Sequence, residues 1–203
     1  MLKLVAATKN KGKLEEFRRL LEGLPVELVS WAEICPELEV EETGTTFEEN
    51  AFLKADAICR TSGLTAFADD SGLCIDALGG EPGVYTARYG AEILGAGASD
   101  DDRMDLVLKR LEGVPKEKRT ARFVSAICCV FPDGKKLQCR GTCEGYIGFA
   151  KAGNGGFGYD PIFYVGEKSF AEMSGGEKDA ISHRGKAMQD FKNQLSEFLK
   201  SST

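Results

Sequence analysis

The chain has 203 residues, a length typical of one domain or of two lobes that share a core. Hydrophobic residues make up 42% and charged residues 29% of the sequence, which excludes disordered, fibrous and membrane-embedded classes. The net charge of −6 argues against a broad nucleic-acid-binding surface, because such a surface carries an excess of basic residues. We therefore expect neither a nucleic acid nor a membrane as a partner.

The N-terminal apolar run is limited to residues 4–7, so the sequence predicts no secretory signal and a cytoplasmic location. The seven cysteines are odd in number and cannot all pair. Cys128 and Cys129 are adjacent, and Cys139 and Cys143 are four residues apart, which is not the spacing of a zinc knuckle or a redox motif. We expect reduced, buried thiols.

In chain order, the hydrophobic pattern predicts helices that alternate with strands, followed by a long hairpin. The predicted strands are 2–7, 26–30, 65–68, 120–131, 136–149 and 161–165. The predicted helices are one capped by Asn10 and ending near Glu22, one ending at Ser62, one capped by Asp100 or Asp101 and ending at Leu111, and one over 184–199. This order predicts the α/β class with a mixed sheet.

The first candidate for function lies between the first strand and the first helix and comprises Thr8, Lys9, Asn10, Lys11, Gly12 and Lys13. Ligands of open α/β sheets bind at the carboxyl ends of strands, and a helix N-terminus offers unpaired N–H donors to a phosphate. The segment favours phosphate binding, with a capped helix and solvated lysines as the alternative. It is not a Walker A loop, because that motif is absent from the sequence.

The second candidate is the run from Ala68 to Leu73, in which two aspartates follow a predicted strand. Adjacent carboxylates suit magnesium binding or the deprotonation of water, and an Asx turn is the alternative. Because consecutive strand residues point to opposite faces, only one of Asp69 and Asp70 is expected to enter the site. The acidic stretch 39–42 could add another oxygen ligand or form a solvated loop.

The third candidate is the glycine-rich segment 153–161, whose first six residues match G-x-G-x-x-G. A dinucleotide-binding fingerprint opens a helix, whereas Pro161 and the aromatic residues here favour an extended segment, so we reject the dinucleotide interpretation. Aromatic side chains on such a loop are suited to stacking on a base.

The fourth candidate is the segment 177–184, in which the only histidine lies beside Arg184. This pair indicates binding of an anion or a carbonyl oxygen.

Five stretches, in this order along the chain, resemble the signature motifs of the inosine triphosphate pyrophosphatase family. They are Thr8-x-Asn10-x-x-Lys13, Glu41-Glu42-Thr43-Gly44, Ala68-Asp69-Asp70-Ser71-Gly72-Leu73, Gly156-Phe157-Gly158-Tyr159-Asp160-Pro161 and Ile181-Ser182-His183-Arg184. The resemblance covers nearly the whole chain. It departs from the family at Lys151, where proline is frequent, and in the length of 95–102.

The resemblance implies a single nucleoside triphosphate pyrophosphatase domain over residues 1–203. The implied fold is a two-lobed α/β fold with a long curved mixed sheet flanked by helices and a cleft between the lobes. It also implies a homodimer that uses Mg²⁺ and hydrolyses the triphosphates of deaminated purines (inosine, deoxyinosine and xanthosine) to a monophosphate and pyrophosphate. Such an enzyme cleanses the nucleotide pool.

The resemblance also implies a role for each motif residue. Asp70 would accept a proton and bind Mg²⁺, and Glu41 would be the second metal carboxylate. Phosphates would be held by Thr8, Lys9, Asn10, Lys11, Gly12, Lys13 and Lys178, and Ser71 would contact the substrate. Phe157 would stack on the base, Gly158, Tyr159 and Asp160 would shape its pocket, and His183 and Arg184 would read its 6-oxo edge.

Three other functions compete with this one. A Maf-type pyrophosphatase would share the fold and the chemistry but differ in base specificity. A non-catalytic module would bind nucleotides without turnover. The context of the glycine-rich loop disfavours a nicotinamide oxidoreductase.

Overall fold

The computed structural model describes residues 1–201, which form a seven-stranded mixed sheet flanked by helices. The strands are β1 (Leu2–Ala6), β2 (Val26–Ser30), β3 (Thr65–Ile75), β4 (Thr120–Val130), β5 (Lys136–Ile147), β6 (Phe163–Val165) and β7 (Lys168–Ser169). Their order across the sheet is β2-β1-β3-β4-β5-β6-β7. Strand β1 is parallel to β2 and β3, whereas β6 is antiparallel to β5 and β7, so the mixed sheet is confirmed.

The helices are α1 (Lys11–Leu20), α2 (Trp31–Ile34), α3 (Phe47–Ser62), α4 (Ala91–Leu94), α5 (Asp100–Arg110), α6 (Gly175–Ile181) and α7 (His183–Ser201). Asn10 caps α1 as predicted, since its side chain accepts a hydrogen bond from the Lys13 amide at 3.1 Å. The cap of α5 is Ser99 and not Asp100 or Asp101, because Ser99 and Asp102 form a capping box. No helix within residues 1–201 is long and apolar enough to cross a membrane.

Contacts between residues divide the chain into two compact units. Unit 1 comprises Met1–Asp70, Ser125–Gly141 and the chain from His183 onward. Its larger core cluster joins α1, the sheet and α7 around Phe67, whose ring centroid lies 4.9 Å from that of Phe17 and 5.4 Å from that of Phe191. This packing holds the N-terminal end of α1 next to the end of β1.

Unit 2 comprises Ser71–Val124 and Thr142–Ser182. Three phenylalanine rings pack together in its core, those of Phe123, Phe163 and Phe170, with Phe163 edge-on to the other two at 4.7 and 4.9 Å. Edge-to-face contacts of this kind add to the free energy gained by burying the rings. This core supports the chain on both sides of the glycine-rich loop.

The prediction that the third strand ends before Asp69 is wrong, because β3 continues to Ile75. Leu73 and Ile75 are fully buried, and their alternation with less buried residues continues the strand pattern. The pair Ser71-Gly72 therefore lies within a strand and forms no turn. As a result Asp69 and Asp70 have the fixed, opposite side-chain directions of strand residues.

Candidate active site

The segment between β1 and α1 is shaped by its own side chains. Thr8 Oγ1 accepts a hydrogen bond from the Asn10 amide at 3.1 Å, and Asn10 caps the helix. Lys9 and Lys11 are exposed, and the Lys9 ammonium lies 4.8 Å from the centre of the Trp31 ring. The predicted placement of this loop at a strand end and a helix N-terminus is confirmed. Such a position can bind an anion.

Asp69 lies at the centre of a buried ionic network in unit 1. Its Oδ2 is 2.8 Å from Lys13 Nζ and accepts hydrogen bonds from Arg184 Nε and Nη2 at 3.2 and 3.1 Å, while Ser125 Oγ donates to its Oδ1 at 2.5 Å. Burial alone would raise the pKa of Asp69, but the charges of Arg184 and Lys13 hold it well below its usual range. Asp69 is therefore a permanent carboxylate with a structural role.

The network places Arg184 differently from its predicted role as a reader of the base. The third donor of its guanidinium, Nη1, binds Glu16 Oε2 at 2.6 Å, and only 2% of Arg184 is exposed. Although burial opposes it, pairing with Asp69 and Glu16 raises the pKa of Arg184. Because Arg184 is buried and each of its three nitrogens donates to a carboxylate, base reading by Arg184 stays a prediction.

Asp70 points away from this network and has a different environment. Its Oδ1 is 2.8 Å from Lys54 Nζ, and Lys54 is also 2.8 Å from Glu42 Oε1. Its other oxygen, Oδ2, is buried and has no hydrogen-bond partner among the described residues. Burial raises the pKa of Asp70, although the charge of Lys54 opposes the shift. Asp70 thus has one free, desolvated oxygen.

The structure brings Glu42 to Asp70, whereas Glu41, predicted as the second metal carboxylate, is exposed. The order of the two residues in the sequence gave no reason to prefer Glu42. Sequence reasoning also missed Lys54 and Glu16. The only signal in the sequence was that each is a charged residue among the apolar positions of its helix, Lys54 in α3 and Glu16 in α1. Such charged residues are common on helices that are half exposed.

The residues at Asp70 fit a divalent cation. A buried carboxylate oxygen without a partner is an available ligand, and Lys54 already occupies the position of a cation shared by two carboxylates. No group of three or more His, Cys, Asp and Glu side chains among residues 1–201 is arranged to hold a metal ion. Two carboxylates suit Mg²⁺, which is commonly bound by one or two carboxylates together with substrate phosphates and water.

In unit 2 the glycine-rich loop is organised by Asp160. Its Oδ2 accepts a hydrogen bond from the Phe157 amide at 2.9 Å and from Lys178 Nζ at 2.8 Å. Gly156 has φ +70°, and a Cβ there would lie 2.0 Å from Asp160 Oδ2, so only glycine fits. The loop leads to β6 and opens no helix, in agreement with the rejection of a dinucleotide-binding motif.

Three predicted residues of this unit have distinct surroundings. Phe157 is half-buried, and the Lys178 ammonium lies 4.9 Å from the centre of its ring. Tyr159 is buried and donates a hydrogen bond to the Thr86 carbonyl at 2.9 Å. Lys178 is only 5% exposed, is paired with Asp160 and lies beside the aromatic ring. Its predicted contact with a phosphate stays a prediction.

The remaining predicted residues lie in a strand, at the start of a helix and in the glycine-rich loop. Ser71 follows Asp70 within β3 and is half-buried. His183 is the first residue of α7 and is 3% exposed, and its carbonyl oxygen lies so close to Gly141 that a Cβ there would approach it to 2.0 Å. Gly158 donates its amide to Asp100 Oδ2 at 3.2 Å.

The fold is that of an α/β protein with a mixed sheet, in which Asp69 and Asp70 of β3 are paired with lysines and a glycine-rich loop carries aromatic side chains. Residues 4–194 match the Ham1 family, and the chain belongs to that family. It is 48% identical over 205 residues to a dITP/XTP pyrophosphatase from Bacillus cereus, an alignment covering 98% of this chain and 97% of the relative. A dITP/XTP pyrophosphatase from Symbiobacterium thermophilum is 50% identical over 187 residues, covering 92% and 91%.

A solved structure supports the same assignment. The HAM1 protein from Coxiella burnetii superimposes with a TM-score of 0.86 at 41% identity, covering 97% of this chain and all of that one. The fold predicted from the sequence is thereby confirmed as mixed α/β with an open sheet flanked by helices.

Proposed function

We propose that this enzyme hydrolyses the triphosphates of deaminated purine nucleosides (ITP, dITP and XTP) to the monophosphate and pyrophosphate. Relatives named dITP/XTP pyrophosphatase match over almost the entire chain. The observation that carries the proposal is Asp70, a buried carboxylate with one oxygen bound by Lys54 and the other without a hydrogen-bond partner within residues 1–201. A Maf-type enzyme of other base specificity and a non-catalytic nucleotide-binding module are not favoured by these relatives.

Asp70 is suited to act as the proton acceptor. Because burial raises its pKa, Asp70 is a stronger base than an exposed aspartate. A water molecule attacks the α-phosphorus, its proton passes to Asp70, and the bond to the bridging oxygen breaks as pyrophosphate leaves. Water is the default nucleophile, since no residue of the motifs is suited to covalent catalysis.

Mg²⁺ would be held by Asp70 together with Glu42, or with Glu41 if the acidic segment shifts. When bound, it would neutralise charge on the triphosphate, which carries about four negative charges. The protein's own cations act in the same direction. Lys13 and Lys54 both approach the Asp69 carbonyl oxygen, each with its ammonium 3.4 Å from it.

The triphosphate is assigned to the start of α1, where amide donors and lysines are available. The residues proposed to hold it are Thr8, Lys9, Asn10, Lys11, Gly12 and Lys13, with Lys178 as a further candidate and Ser71 in contact with the substrate. Phe157 is proposed to stack on the base and Gly158, Tyr159 and Asp160 to shape its pocket. His183 and Arg184 are proposed to donate to the 6-oxo group.

We also propose that residues 1–203 act as a single catalytic domain, which forms a homodimer and works in the cytoplasm, where nucleotide pools are maintained. The family match over residues 4–194 supports the single domain.

A substrate panel with direct detection of pyrophosphate tests the proposed activity. We expect ITP, dITP and XTP to be hydrolysed with a far higher kcat/KM than ATP and GTP. Activity should disappear with a chelator and return with Mg²⁺. Orthophosphate as the primary product would place the attack at the γ-phosphorus and overturn the proposal. A preference for other bases would indicate the Maf-type activity, and binding without turnover would indicate the module.

The base-reading role of His183 is tested by the ratio of ITP to ATP turnover. A hydrogen bond to a charged group contributes about 1.5–3 kcal/mol, so His183→Ala should lower kcat/KM for ITP by roughly 10–150-fold while ATP changes little. If His183 only supports the start of α7, the melting temperature falls and the ratio stays the same. An unchanged ratio of ITP to ATP turnover therefore excludes base reading by His183.

A further inference from the structure

Asn50 is a fully buried polar residue on α3 that the proposed mechanism does not use. Its side-chain oxygen accepts a hydrogen bond from the Gly44 amide at 2.8 Å. Gly44 belongs to the same short segment as Glu42, the carboxylate that shares Lys54 with Asp70. Asn50 therefore ties this segment to the helix that carries Lys54.

The other half of the Asn50 amide is left without a partner within residues 1–201. Its Nδ2 is buried and makes no hydrogen bond among the described residues. A buried donor without an acceptor is destabilising, and an apolar side chain of similar size, such as leucine, would avoid that cost. Helix stability therefore does not explain an asparagine here, whereas the bond to Gly44 does.

The spacing of Asn50 and Lys54 along α3 explains why the contact between Asn50 and Gly44 matters for Glu42. Asn50 and Lys54 are four residues apart and so lie on the same side of the helix, one turn from each other. Lys54 contacts Glu42 and Asn50 contacts Gly44, so two successive turns bind positions two residues apart in the acidic segment. A Cβ on Gly44 would lie 2.6 Å from Asn50 Oδ1, which leaves no room for a longer side chain at that position.

We propose that Asn50 is a positioning residue for the metal site: its bond to the Gly44 amide holds Glu42 beside Lys54 and Asp70. This inference rests on the Mg²⁺ site of the proposed function. A contact that orients a metal ligand from outside the coordination shell typically changes metal affinity by about 10–100-fold.

The test compares Mg²⁺ affinity by calorimetry with the exchange rate of the Gly44 amide hydrogen by NMR. Asn50→Leu should weaken Mg²⁺ binding by about 10-fold or more and speed exchange at Gly44. Asn50→Asp keeps the acceptor and should keep the amide protected. Gly44→Ala disturbs the same contact from the other side and serves if Asn50→Leu fails to fold. Ser62→Ala is the control, because it removes a hydrogen bond at the far end of α3.

The outcomes separate this inference from the proposed function. If Asp70→Asn abolishes Mg²⁺ binding but Asn50→Leu and Gly44→Ala bind as the wild type does, the inference is wrong and the metal site stands. If the wild type and Asp70→Asn bind Mg²⁺ equally, both the metal site and the inference are overturned. A loss of melting temperature equal to that of Ser62→Ala, with unchanged affinity, would assign Asn50 a purely structural role.

Discussion

Asp69 and Asp70 are adjacent in sequence and have opposite environments. Asp69 is held by Lys13, Arg184 and Ser125 and has a pKa well below its usual range, whereas Asp70 has a raised pKa. The difference follows from the strand geometry, which turns one side chain into the ionic network and the other toward Lys54. The two carboxylates should therefore differ in what their loss does to the protein.

Asp70→Asn should reduce turnover of ITP by at least about 100-fold, because proton transfer by a positioned group is typically worth 10²–10⁴-fold. The free energy of unfolding should change little or increase, since a neutral amide removes a buried charge that is only partly compensated. Steady-state kinetics and urea denaturation measure the two effects. Retention of more than about a tenth of the activity contradicts the assigned role.

Asp69→Asn is the matched comparison, and we expect its main effect to be on the stability of the protein. Removing one partner of a buried ion pair typically costs about 3–5 kcal/mol, because the other charges remain buried without compensation. Urea denaturation should show this loss, because Lys13 and Arg184 lose the carboxylate they share, while Arg184 keeps its pairing with Glu16. A variant as stable as the wild type would show that the network is not stabilising.

At the scale of elements, most helices begin with a capping box. Helix α6 illustrates this: Ser174 Oγ accepts from the Glu177 amide, and Glu177 accepts from the Ser174 amide at 2.8 Å. These hydrogen bonds and Lys168 lower the pKa of Glu177 to about 2. Helix α6 also carries Lys178, which is paired with Asp160 of the glycine-rich loop. The capping box is therefore next in sequence to a residue that supports this loop.

The capping box gives a pH dependence with a defined sign. Because the folded-state pKa of Glu177 is lower than its ordinary value of 4.5, its contribution is present above pH 4.5 and is lost as the pH falls toward 2. An NMR titration should show a Glu177 midpoint near 2, and Glu177→Gln should flatten the acid limb of the stability curve over that range. A midpoint near 4.5 would mean that the box does not form in solution.

At the scale of the whole molecule, the seven cysteines report on global opening. All seven are free, and five of them are buried, while Cys35 and Cys74 are partly exposed. Burial raises the pKa of Cys128 to about 11 and that of Cys139 to about 12, which keeps these thiols protonated. Their reactivity is therefore limited by unfolding and not by chemistry at the surface.

We expect a thiol reagent such as Ellman's to label at most Cys35 and Cys74 in the native protein. The five buried thiols should react only at the rate of global unfolding, and all seven should be titrated in denaturant. Absorbance of the released thiolate gives the counts. Rapid labelling of more than two thiols would show that one of the cores opens locally.

The sequence alone determined the class of the fold, the family and the cap of α1, because hydrophobic period, signature motifs and capping are local patterns. It predicted Asn10 as the cap of α1 and rejected the dinucleotide fingerprint from the residues that follow the glycines. It ended β3 too early, because Asp-Asp-Ser-Gly is a turn pattern locally and only packing of Leu73 and Ile75 overrides it.

The tertiary structure decided which carboxylate and which cation belong together. Lys54 is 16 residues from Asp70 in sequence, and Glu16 is 168 residues from Arg184, yet each pair is in direct contact. Sequence patterns give no distance between such residues. Burying a charge without a partner costs free energy, and this cost is offset only where the fold brings an opposite charge within reach. This requirement selects the pairs. For that reason Asp69 became structural and Asp70 the candidate catalytic group.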